Sequence, residues 1–174
     1  MAPRAETVAE QLLLEHGLLA APVDLERLAE ACGVEVVPQR FEDGDVSGML
    51  LREEGMPAVI GVNTVQAAVR QRFTIAHELG HWALHPGRLV IFDRPMRINR
   101  RDSVSAMATD REEIQANAFA AALLMPERLV RQHVSELTPA RRRDPEDAAK
   151  VLASIFRVSA AAMNFRLINL GLAS

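Results

Sequence analysis

The chain has 174 residues, 49% of them hydrophobic, a net charge of −3 and a single cysteine. That is enough chain to bury one sizeable core, while no run approaches the roughly 18 apolar residues of a membrane span, and the first residues lack the charged-then-apolar pattern of a secretory signal. A lone Cys32 excludes a disulfide framework and a cysteine-held metal, the cytoplasm is the expected compartment, and the mild acidity argues against broad nucleic-acid binding.

The first forty residues read as scaffold. Thr7 and Glu10 have capping-box spacing ahead of Leu12, Leu13 and Leu14, with Gly17 as a stop. Asp24 is expected to cap a second helix that ends at Gly33, with Val23 and Leu28 as a hydrophobic staple. His16, beside a helix end, reads as a solvated residue. Three strand-like runs follow: Val34 to Phe41, Val46 to Arg52 and Pro57 to Val62. Asp43-Gly44 and Glu54-Gly55 separate them, and turns that short predict an antiparallel meander. Val46 to Leu50 is the candidate edge strand for pairing with an extended substrate, although Ser47-Gly48 is equally readable as a bulge.

Arg72 to His85 carries one H-E-x-x-H, formed by His77, Glu78 and His81. Four helical residues advance about 400°, so the two imidazoles leave one face a turn apart and can meet a single metal ion. Glu78 sits about 100° round from His77, within reach of a metal-activated water but badly placed as a third ligand, which makes general base its natural role. Zinc suits nitrogen and carboxylate donors with one open position. Ile75, Leu79 and Trp82 give the helix a buried back. Gly80 costs about 1 kcal/mol relative to Ala in mid-helix and so points to a close backbone approach. His85 continues the series, but eight residues of helix span roughly 12 Å, too far for His77 and His85 to share an ion.

Pro86 to Ala108 is long for a connection and contains Arg94, Arg97, Arg100 and Arg101. Leu89 to Phe92 is a candidate short strand, and the remainder reads either as a solvated connection or as a lid over the site. With no tyrosine in the chain, the group that polarises a substrate carbonyl is open among the metal, one of these arginines, His85 and His133.

Asp110 to Pro126 reads as a second long helix. Thr109 and Glu112 have capping-box spacing, which leaves Glu113 as the candidate third ligand. Asn117 lies four residues on, on the same face, placed to buttress a ligand histidine. The bland alternative is a pair of acids favoured in a first turn by the helix dipole.

Taken together, R-x-R-F-T-I-A-H-E-L-G-H from Arg70 to His81 and E-x-x-A-N-x-F-A-A-x-L-L-M-P from Glu113 to Pro126 resemble the ImmA/IrrE family of zinc metallo-endopeptidases. The likeness extends to Pro22-Val23-Asp24-Leu25 and Ser47-Gly48-Met49-Leu50 upstream, and to Phe156-Arg157-Val158-Ser159 and Arg166 to Leu172 downstream. It implies a zincin-like α+β fold, His77, His81 and Glu113 as zinc ligands, and Glu78 as the base. It also implies a protein substrate, a helix-turn-helix repressor encoded nearby, whose cleavage derepresses genes.

After Pro126 a further helix is expected through His133, with a break at Thr138-Pro139. Asp144-Pro145 then starts a helix to about Phe156, and Ser159 starts another that ends near Gly171. The pair resembles a helix-turn-helix, with Arg141, Arg142, Arg143, Arg157 and Arg166 nearby. Leu152, Ile155, Phe156, Met163, Leu167 and Leu170 favour a packing surface over DNA contact. The expected architecture is a small antiparallel sheet packed on the H-E-x-x-H helix and a second ligand-bearing helix. It divides into a metallopeptidase domain, residues 1–136, and a C-terminal helical annex, residues 137–174. The alternative is a non-catalytic regulatory protein that binds a repressor, an antitoxin or DNA.

Overall fold

The fold is taken from a computed structural model, which describes residues 4–42, 45–87, 89–93 and 103–173. Helices α1 (Arg4–Glu15) and α2 (Leu25–Ala31) come first, then strands β1 (Val34–Gln39), β2 (Gly48–Leu51) and β3 (Ala58–Asn63). Helix α3 (Ala68–Leu84), strand β4 (Val90–Asp93) and helix α4 (Ser103–Leu124) form the middle of the chain. Helices α5 (Glu127–Glu136), α6 (Pro139–Arg143), α7 (Pro145–Phe156) and α8 (Ala160–Asn169) complete it. The architecture is α+β, a small sheet against α3 with a C-terminal helical bundle.

Local chemistry explains most of the boundaries. Asp24 caps α2 by accepting from the Arg27 amide at 3.1 Å, and Gly33 leaves the helix at φ 71°. Asp144 accepts from the amides of Glu146 and Asp147 and has Pro145 at the first helical position of α7, while Ser159 caps α8 through the Ala162 amide. Thr7 and Thr109, however, lie inside helices that already began at Arg4 and Ser103, so neither forms the expected capping box.

The sheet is mixed, with strand order β1-β3-β2-β4. β2 and β3 form the expected hairpin, turning through Gly55 at φ 79°. β1 pairs with β3 in parallel, Val34 opposite Ala58, rather than with β2, so the three runs make no meander. The expected edge strand, Val46 to Leu50, is instead interior, flanked by β3 and by β4. Among the described residues the outer strands are β1 and β4. The Asp43-Gly44 turn and Arg94, Arg97, Arg100 and Arg101 lie outside the described residues.

Gly48 has a packing reason. A Cβ there would lie 2.4 Å from Thr74 Cγ2 and 2.8 Å from the Gly61 carbonyl oxygen, so only glycine lets β2 lie this close to α3. One contiguous apolar cluster joins Leu13, Leu28, Leu50, Ile60, Leu79, Phe119, Leu152, Phe156 and Leu167, spanning the sheet, α3, α4 and the C-terminal helices. Among the described residues no single helix is long and apolar enough to cross a membrane, and α7 and α8 meet at a bend of 110°.

Candidate metal centre

Helix α3 is buried on both sides along Thr74 to His81, so its polar residues must find partners inside the protein. Two arginines seat its first turns: Arg72 donates to the Val23 carbonyl at 2.9 Å, and Arg70 donates to Ser47 Oγ at 3.1 Å and lies over the Phe73 ring. Arg52, just past β2, closes the other end, donating to the His81 carbonyl at 2.8 Å and the His85 carbonyl at 2.7 Å. These carbonyls lie at the C-terminal end of the helix, where that of His81 also accepts from the His85 amide at 3.0 Å, and a cation there suits the helix dipole.

Gly80 allows α4 to pack against this helix. A Cβ there would stand 3.1 Å from Phe119 Cδ1 and 3.2 Å from both Ala116 Cα and the Ala116 carbonyl oxygen. The resulting close approach brings Glu113 over the two histidines. Its Oε2 lies 3.2 Å from His77 Nε2 and its Oε1 3.2 Å from His81 Nε2, with the two Nε2 atoms 3.1 Å apart. His77 and His81 are 2% and 1% exposed, and Glu113 is partly buried.

The protons on these rings decide what the cluster can hold. Asn117 Oδ1 lies 3.0 Å from His77 Nδ1; as an acceptor it places the ring proton on Nδ1 and leaves Nε2 with a lone pair facing the cluster. Burial, more than any neighbour, lowers the pKa of His81 from its ordinary 6.5 and favours the neutral ring. Burial acts to raise Glu113, but hydrogen bonds and charge from His77 and His81 in their protonated forms hold it well below the usual carboxylate range. Two imidazole lone pairs and a carboxylate at such separations repel one another unless a cation or protons sit among them. A tetrahedral zinc with bonds of about 2.0–2.1 Å sets its donors roughly 3.3 Å apart, close to the spacing found. The donor set and its geometry therefore fit Zn²⁺.

Glu78 is completely buried on the same helix, with its Oε1 3.8 Å from the position of a Cβ on Gly48. The β2 backbone thus forms one wall beside this carboxylate. His85, a candidate for polarising a carbonyl, has both ring nitrogens engaged instead: Nδ1 with His81 Nδ1 at 3.1 Å and Nε2 with Gln115 Oε1 at 2.9 Å. His133 pairs with Glu136 at 3.0 Å and meets the Phe156 ring edge-on, within the C-terminal helices. Sequence reasoning did not find Gln115 or Arg52. Gln115 carried a usable signal: like Asn117, it is an amide on the ligand-bearing stretch of α4, two residues from Glu113.

Comparison with known proteins agrees with this geometry. The family model for the IrrE N-terminal-like domain, Peptidase_M78, matches residues 29–168. No curated protein gives a significant match. Among solved structures, a Mycobacterium tuberculosis transcriptional regulator is similar over 94% of this chain and 46% of its own, at 20% identity and a TM-score of 0.62. That likeness is one of fold, and this chain spans less than half the length of that protein. Since the family match covers most of the chain and takes in both helices of the triad, the chain belongs to the IrrE N-terminal-like family, Peptidase_M78.

Proposed function

We propose that this protein is a zinc-dependent endopeptidase whose substrate is another protein, a helix-turn-helix transcriptional repressor encoded nearby, so that cleavage releases repressed genes. The observation that carries the chemistry is the convergence of His77 Nε2, His81 Nε2 and the Glu113 carboxylate within 4.8 Å, beside a buried glutamate. His77, His81 and Glu113 would hold the ion, and Asn117 orients His77. Zinc bound there supplies Lewis acidity, bringing the pKa of a water toward about 7 and polarising the scissile carbonyl.

In this mechanism Glu78 does the proton work. Its carboxylate takes a proton from the attacking water and returns it to the departing amide nitrogen, so that one group serves as base and then as acid. An extended substrate needs a strand to pair with. Because β2 is interior, that role passes to β4, the outer strand next to the one that walls Glu78, while β1 lies on the far side of β3.

The C-terminal segment, residues 137–174, is proposed as a packing annex to a metallopeptidase domain of residues 1–136. Its arginines support this over DNA contact. Arg166 is buried and donates to Glu6 at 2.7 Å and to the Met125 carbonyl at 3.0 Å. Arg142 donates to the carbonyls of Ser135 and Leu137, and Arg141 pairs with Asp147 at 3.4 Å. The similar structure is that of a transcriptional regulator, which accords with a place in gene regulation.

The test is to mix the zinc-loaded chain with the helix-turn-helix protein of its own operon and follow fragments by mass spectrometry. One defined cut, absent after chelation, is expected. A stable complex that stays uncut with zinc in place would favour the non-catalytic regulatory reading.

A further inference from the structure

The two ligand histidines are oriented differently. His77 meets an amide directly, whereas His81 meets a third imidazole that in turn meets an amide. We propose that His85, itself oriented by Gln115, is a positioning residue that holds the His81 proton on Nδ1 and so keeps His81 Nε2 available to the metal. This rests on the reading of His77, His81 and Glu113 as a zinc centre.

Two like nitrogens 3.1 Å apart can share only one proton, so the His81–His85 contact has two arrangements. In the first, His81 Nδ1 donates to His85 Nδ1. His85 then carries its own proton on Nε2, where Gln115 Oε1 accepts it at 2.9 Å, and His81 Nε2 presents a lone pair to the cluster. In the second, His85 Nδ1 donates. His81 must then carry its proton on Nε2, inside the triad, and His85 Nε2 turns a lone pair toward the Gln115 oxygen. The second arrangement blocks a ligand atom and sets two acceptors against each other. Gln115 therefore selects the first through two successive hydrogen bonds.

The backbone is arranged to hold this chain of contacts. His85 closes α3 at φ −128° and ψ 68°, out of helical conformation, and Pro86 follows, a residue that disfavours helix at the position before it. The ring thereby stays under His81, and Arg52 clamps the carbonyls of both residues. α4 contributes all the other groups: Glu113 to the triad, Asn117 to His77, and Gln115 to His81 by way of His85. The helix that supplies the third ligand also sets the protonation of the other two.

Zinc affinity of the full chain by chelator competition, together with nitrogen–proton NMR of ¹⁵N-histidine-labelled protein, tests the inference. H85L is expected to weaken zinc by about 10–100-fold, the usual effect of removing a group that orients a ligand. H85N, whose Oδ1 can replace Nδ1 as acceptor, should recover most of that loss, which a purely packing role would not produce. At the exposed Gln115 the core is not disturbed, so Q115L should weaken zinc more mildly while Q115E, an obligate acceptor, retains it. Wild-type affinity in H85L, no recovery in H85N, or a His81 proton on Nε2 in the zinc-free protein each overturns the proposal. If the wild-type chain binds zinc no better than H81A, the zinc centre itself fails, and this inference with it.

Discussion

Two helix pairs in this molecule look alike as sequence and differ as structure. α3 with α4, and α7 with α8, each combine an apolar face with several titratable residues. In α3–α4 the titratable groups are turned inward: His77, Glu78 and His81 are buried, and Glu113 reaches the two histidines across the close contact at Gly80. In the C-terminal pair and α6 before it, the apolar residues Leu152, Phe156, Met163 and Leu167 are buried, Arg141, Arg142 and Arg143 stay exposed, and the buried Arg166 is compensated by Glu6 and the Met125 carbonyl. Burying a polar group is costly unless something compensates it, so converging buried polar groups mark a site, whereas solvated charges on a helix surface need no further explanation.

The largest effect that would sharpen this contrast is on turnover. Glu78→Gln keeps the shape of the side chain but removes the base, and cleavage should fall by at least about 10²–10⁴-fold with zinc content unchanged, as measured on the cognate substrate beside metal analysis. Near-normal cleavage by this variant would remove Glu78 from the mechanism.

Next come the two glycines, which separate folding from metal binding. Gly48→Ala places a methyl group within 2.4 Å of Thr74 and 2.8 Å of the Gly61 backbone, and should cost about 1–3 kcal/mol by denaturant melts. At Gly80 the clashes are milder, 3.1–3.2 Å, and alanine gains up to about 1 kcal/mol in helix propensity. Gly80→Ala should thus leave stability nearly unchanged but loosen zinc, because it presses on the helix that carries Glu113. Equal zinc affinity in Gly80→Ala and the parent chain would show that the spacing of the helices does not set the triad.

A smaller effect is expected from pH. His81 has a folded pKa below its unfolded one, so the unfolded chain binds a proton that the buried ring resists, and stability of the zinc-free protein falls as pH drops below about 6.5. Glu113 is shifted the same way, so its contribution, present at neutral pH, is lost as pH falls below the ordinary carboxylate value of 4.5. Melting curves from about pH 8 down to about pH 3 should decline over both ranges, and His81→Gln should flatten the upper one. Smallest of all is the C-terminal surface: replacing Arg141, Arg142 and Arg143 together by Ala should leave zinc affinity and cleavage unchanged. A clear loss of either would give those arginines a part in the site.

How much of this was legible beforehand depends on the range of the interaction. Helical spacing placed His77 and His81 on one face, and a costly mid-helix glycine announced the close contact at Gly80. Short caps at Asp24, Asp144 and Ser159 were equally readable, because each involves neighbours two or three residues apart. The capping boxes at Thr7 and Thr109 misled because the pattern alone does not show whether a helix has already begun. Strand order was beyond reach of local signals: the turn at Gly55 makes β2 and β3 a hairpin, but whether β1 joins β2 or β3 depends on which face each strand buries. His85 was judged by its distance from His77, about 12 Å along the helix, when its contact is with His81 at the same i, i+4 spacing as the ligand pair itself.

The most direct measurement is zinc stoichiometry and affinity in the parent chain and in His77→Ala, His81→Ala, Glu113→Ala and Glu78→Gln. One tightly held zinc per chain, lost in each of the first three variants and retained in the fourth, is the predicted pattern. Undiminished zinc binding by Glu113→Ala would contradict a centre assembled from two helices.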